Sequence, residues 1–170
     1  MIFHFYFAVT VLGAILTLWL TRHRGLSSRR IVRISLLYLL CVQWGFGAAF
    51  TAIPHILFPD QTAGFIGWES GSPFQLELGF ASLGTSILGI LSIWLRGWFW
   101  LAPVVSRSVF LLGAAYVHIA DILANGNMSP GNAGPILFYD IVVPFIAVGL
   151  FVVYARQEGL AVSVQSSAPG

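Results

Sequence analysis

Five stretches of this chain run for about twenty residues with hardly a charge, the length a helix needs to cross roughly 30 Å of hydrocarbon. They are Ile2–Leu20, Ile34–Ile53, Pro73–Leu95, Pro103–Ala124 and Pro135–Ala155. Of the 170 residues, 58% are hydrophobic and 8% charged, with a mean hydropathy of +0.88. A water-soluble domain carries about 25% charged residues, so no soluble surface can be assembled from this composition. The expected fold class is all-α: a polytopic bundle of about five transmembrane helices over residues 1–158, with a short polar flexible tail at 159–170. The expected location is the plasma or inner membrane.

Lysine is absent, and the eight cations are all arginines. If there are five spans, Arg22, Arg24, Arg29, Arg30, Arg33, Arg96 and Arg156 share one side. Arg107 lies about one turn inside that end of the fourth span, from where it can snorkel outward. Short arginine-rich loops stay cytoplasmic, which places the N-terminus outside and the C-terminus inside. The acids agree: only Glu158 falls on the arginine side, while Asp60, Glu69, Glu77, Asp121 and Asp140 fall toward the other. The first run lacks a positive n-region and a small-residue cleavage site, so it reads as a retained helix rather than a signal peptide. A pI near 9.0 carries no nucleic-acid signal, because no basic face is interleaved with exposed aromatics. The single cysteine, Cys41, excludes an internal disulfide.

Local signals mark several helix ends. Ser72, Pro73 and Gln75 form a capping-box start for the third span. Asn125-Gly126 reads as the stop of the fourth, Pro135 as the start of the fifth, and Pro54 as the close of the second. Helices approach closely in lipid only through small residues. On that basis Glu77, Ala81, Thr85 and Gly89 mark one inward stripe, Ala114, His118 and Asp121 another, and Gly45 with Ala49 a third. Trp98, Phe99 and Trp100 read as an interfacial anchor.

At 1.5 Å per residue, Glu77, His118, Asp121 and Asp140 all lie about 5–9 Å inside the non-cytoplasmic end of their helices. Pro144 deprives the carbonyl of Asp140 of its helical donor, and Pro54 does the same to Phe50. Ionisable groups at such depth normally face the bundle interior and carry function. Carboxylates and imidazoles from facing helices are also how bundle metal sites are built. The candidate ligand-binding set is therefore Glu77, His118, Asp121 and Asp140, with Gln75 and Asn132 as peripheral contacts. The same four side chains are the candidate ligands of a divalent metal, with His55 joining from above. The loops Phe58–Gly71 and Asn125–Gly134 would roof this layer. The competing reading is a hydrogen-bonded layer that only fixes helix register.

Taken in order, Ile66-Gly67-Trp68, Ser72-Pro73-Phe74-Gln75, Glu77, His118-Ile119 and Pro130-Gly131-Asn132-Ala133-Gly134 resemble the pattern of a family of small multi-pass membrane proteins known as a domain of unknown function. Helix number and size give a remoter likeness to DoxX-type proteins. The resemblance implies the fold and points to the same layer; it implies no reaction. The function expected is binding of a cation, proton or small polar ligand. The alternatives are a structural accessory subunit or assembly factor and, third, a metal-dependent intramembrane enzyme. The expected partners are the lipid bilayer and either further copies of the chain or a larger membrane complex, and not nucleic acid.

Overall fold

The computed structural model describes residues 2–160, with side chains from His4 onward. Among these residues the chain forms six helices and no strand. They are α1 (Ile2–Leu20), α2 (Ser28–Leu57), α3 (Pro59–Ile66), α4 (Phe74–Leu91), α5 (Leu101–Asn125) and α6 (Pro135–Glu158). Four of them, α2, α4, α5 and α6, are long and apolar enough to cross a membrane, α5 together with the short turn that leads into it. α1, whose side chains are described over His4–Leu20, is an apolar helix that lies against α2. The tail expected at 159–170 lies outside the described residues beyond Leu160. Gly159 and Leu160 themselves close α6: Gly159 adopts φ 65° and the Leu160 amide donates back to the Ala155 carbonyl at 3.0 Å.

The helix boundaries follow the local chemistry. α5 stops where Gly126 takes a left-handed conformation and donates to Ile122, and α6 starts on Pro135. The Ser72 hydroxyl accepts from the Phe74 amide at 3.2 Å at the start of α4. The capping box is not closed, because the Gln75 amide is used elsewhere (below). α2 exceeds its apolar run at both ends. It begins at Ser28, with the Ser27 hydroxyl accepting from the Arg30 amide, and it runs through Pro54 to Leu57 instead of closing there. Proline removes one donor, but two neighbouring helices hold this turn in place.

The middle of α2, Leu39–Phe46, is wound as a π-helix, in which each amide reaches back five residues, as the Gly47 amide does to Val42. Against it lies α4. A methyl group on Gly89 would stand 2.5 Å from the Leu40 carbonyl and 2.7 Å from the Gly45 amide, so only glycine lets these backbones meet. The Ser86 hydroxyl donates to the Gly45 carbonyl across the same seam at 2.8 Å. In lipid no hydrophobic force drives helices together, and close packing with interhelical hydrogen bonds replaces it.

α2 crosses the bundle. Its Ser28–Tyr38 half packs on α6, and its Gly47–Leu57 half packs on α4. At the arginine-rich end the helices meet in a solid core of Leu36, Leu40, Trp44, Trp100, Ala147 and Tyr154. Trp100 is not an interfacial anchor: it is fully buried, stacks on Tyr154 at 4.6 Å and donates its indole N–H to the Ser92 carbonyl. Arg30 caps α1 by donating to the carbonyls of Thr21 and Gly25, and Arg29 pairs with Glu158. At the opposite end, where α2 has left α6, the helices part.

Candidate functional site

The space between the parted helices is a cavity of about 700 Å³, walled by α2, α3 and α4 on one side and by α5 and α6 on the other. Most of its lining is apolar, but four side chains in it carry a charge or can acquire one: His55, Arg107, His118 and Asp140. Phe50, Phe58, Phe65 and Val117 line it while remaining exposed, so it opens to the outside of the bundle beside these side chains.

Its floor is Arg107, which does not snorkel outward. The side chain is 5% exposed, lies over the Phe110 ring at 4.8 Å and donates through one Nη to Ser82 Oγ (3.0 Å) and Thr85 Oγ1 (3.2 Å). Its Nε is buried without a hydrogen-bond partner. The register of α5 explains the inward turn. The buried face includes Val104, Arg107, Ser108, Leu111, Ala115 and His118, so Arg107 shares a face with His118, and its contacts with Ser82, Thr85 and Phe110 hold the guanidinium among the helices. Asp140, 3% exposed, faces the same cavity from α6. Among the described residues the one ion pair is Arg29–Glu158, so Arg107 and Asp140 share a cavity without touching.

Its upper wall carries two histidines held in the same manner. His118 Nδ1 lies 2.7 Å from Asn132 Oδ1, and His55 Nδ1 lies 2.6 Å from Gln75 Oε1. Asn132 is fully buried and donates its Nδ2 to the carbonyls of Asn127 (2.9 Å) and His118 (3.4 Å). Its Oδ1 is therefore the acceptor, and His118 must carry its proton on Nδ1. Fixing one ring nitrogen defines the role of the other. Both rings line the cavity, and neither Asn132 nor Gln75 does, so Nε2 is the ring nitrogen left uncommitted there.

The roof is Trp68, stacked on His118 at 5.7 Å. Its indole N–H donates to Asp121 Oδ2 at 2.9 Å, and Asp121 also accepts from Asn125 (2.7 Å) and Asn127 (2.6 Å). Asn127 ties the two outer loops together by donating to the Ile66 carbonyl, while the Gly131 amide donates to that of Phe65. Gly67 is needed twice over: its φ is 85°, and a methyl group there would sit 2.6 Å from Asn127 Oδ1. The Asp60 carboxylate accepts from the Gly71 amide and pins the loop back onto α3.

Of the sequence-derived set, His118, Asp140 and His55 line the cavity. Gln75 and Asn132 stand behind the histidines. Asp121 is half-exposed on the far side of Trp68 and anchors the roof. Glu77 is exposed and faces away. The buried face of α4 is Gln75, Gly79, Ser82, Ser86 and Gly89; Glu77 follows Gln75 by two residues, about 200° around the helix. The four proposed metal ligands therefore do not converge, and among the described residues no three His, Cys, Asp or Glu side chains come close enough to hold a metal ion. Arg107 and Trp68 are the residues that reading the sequence missed. A lone arginine in a span that also offers His118 was the available signal for the first; the Ile66-Gly67-Trp68 motif marks the second without saying what its ring covers.

The chain belongs to a family of unknown function (DUF6790), whose family model matches residues 1–160. No curated protein and no solved structure matches it.

Proposed function

We propose that this member of the family is a membrane-embedded binding protein that takes an amphipathic, lipid-derived molecule into the cavity, arginine-rich end toward the cytoplasm. The observation that carries this reading is a cavity of about 700 Å³ in which apolar walls surround Arg107, Asp140, His55 and His118. Pockets for small molecules have this size and this makeup, mainly apolar with a few placed polar groups. Acyl tails from the bilayer would fill the apolar walls but leave the buried polar groups uncompensated, which is costly inside a membrane. A ligand with a polar head and an apolar body satisfies both, and the opening to the outside of the bundle gives it a route from the lipid. Because the cavity is chiefly apolar and the carboxylates do not converge, this reading replaces a small polar ligand or a metal ion.

Gly113 supports a direct test. It lines the cavity, and a β-carbon added there meets nothing within 4 Å. Gly113→Phe should block the space and leave the fold intact. Native mass spectrometry of gently extracted protein should show a small molecule retained by the parent and lost from the variant. A parent that carries nothing, or a variant that retains the same mass, sinks the reading.

A further inference from the structure

We infer that the head of the bound molecule is uncharged and presents hydroxyl groups, as in a monoacylglycerol or a long-chain diol. This deepens the binding reading above and rests on it. A neutral imidazole has one N–H and one lone pair. In His118 the N–H is committed to Asn132, and the orientation of that amide is fixed by its two donated bonds. In His55 the bond to Gln75 Oε1 has the same form. His118 therefore keeps its lone pair on Nε2, and His55 does the same with Gln75 Oε1 as the acceptor of its Nδ1–H, so a ligand meeting these nitrogens must bring protons. The Asp140 carboxylate, also on the lining, adds further acceptor oxygens.

Charge narrows the class. Arg107 and Asp140 place a guanidinium and a carboxyl group on the same cavity. An anionic head would meet two imidazole lone pairs and a carboxylate; a cationic head would meet a buried guanidinium already desolvated and held by Ser82 and Thr85. A hydroxyl avoids both conflicts, since it donates to Nε2 or to the carboxylate and accepts from the guanidinium. A metal ion would also use the lone pairs, but no third ligand approaches among the described residues. The apolar remainder, from Phe50 to Val117, suits a hydrocarbon tail that leaves through that opening.

Three probes with one tail and three heads test this: monooleoylglycerol, oleate and oleylamine. Each is titrated against the protein in lipid nanodiscs at about pH 8, above the ordinary imidazole range. Monooleoylglycerol should bind at least about ten-fold more tightly than either charged probe, as expected when buried partners are matched rather than orphaned. His55→Phe and His118→Phe should each shrink that preference. His55 is only half-buried, so its variant reports even if the His118 variant fails to fold. Equal affinities, or a preference for oleate or oleylamine, would overturn the head assignment while leaving the cavity as a binding site. No binding of any probe, with Gly113→Phe indistinguishable from the parent, would remove the binding reading itself.

Discussion

The two ends of this bundle are built from the same helices by opposite rules. At the arginine-rich end Trp100, Tyr154, Leu36 and Ala147 close around one another, and the polar groups there serve helix ends: Arg30 on α1, and Arg29 with Glu158 between α2 and α6. At the other end α2 has crossed from α6 to α4, and the gap is lined by side chains expensive to bury. Packing is concentrated at the arginine-rich end. The polar groups are concentrated where packing has been given up. A bundle held together by its polar layer would show the reverse, with Arg107 and Asp140 in direct contact and no space between the helices.

That contrast can be broken most severely at the packed end. Trp100→Ala removes a fully buried ring and its bond to Ser92, and should cost about 3–5 kcal/mol, read as a large fall in thermal midpoint in detergent. The fraction still folded should bind ligand as the parent does. A smaller effect of the opposite sign is expected at the cavity. Exchanging both buried charges together, Arg107→Met with Asp140→Leu, should leave stability unchanged or raise it by about 1–4 kcal/mol, with ligand binding lost. A marked loss of stability in that double variant would mean that the charges hold the bundle and that the contrast is false. The smallest change should come from Arg29→Ala. Arg29 is largely exposed, and pairs of this kind contribute little, so the thermal midpoint should stay within experimental error and binding should not respond.

Much of the fold was legible because it depends on run length and on residues next to one another. Gly126 and Pro135 mark helix ends by local backbone chemistry, and the structure uses both in that way; Ser72 accepts the Phe74 amide, but its capping box with Gln75 stays open. The apolar run Ile34–Ile53 is shorter than α2 because a span is bounded by hydropathy and a helix by its caps; Ser27 starts the helix ahead of the arginines, and support from two neighbours carries it through Pro54. The site was only partly legible. His118 and Asp140 could be found by depth, but depth does not reveal direction around a helix. Glu77 lies at the right height on the wrong side, and Arg107 was assigned to the membrane surface by the same charge bias that orients the other arginines. The pairings His118–Asn132 and Trp68–Asp121 join segments far apart in the chain, which no local pattern encodes.

The wide turn at Leu39–Phe46 has a consequence for the aim of His55. A stretch wound five residues to the hydrogen bond accommodates more chain per turn than the helix on either side, so it acts as a phase shifter. Everything after Phe46 is rotated relative to where an unbroken α-helix would have put it. Thr51, Pro54 and His55, on the cavity wall, all lie downstream of that offset. A change in the winding of Leu39–Phe46 would therefore re-aim the imidazole without altering any residue of the cavity wall.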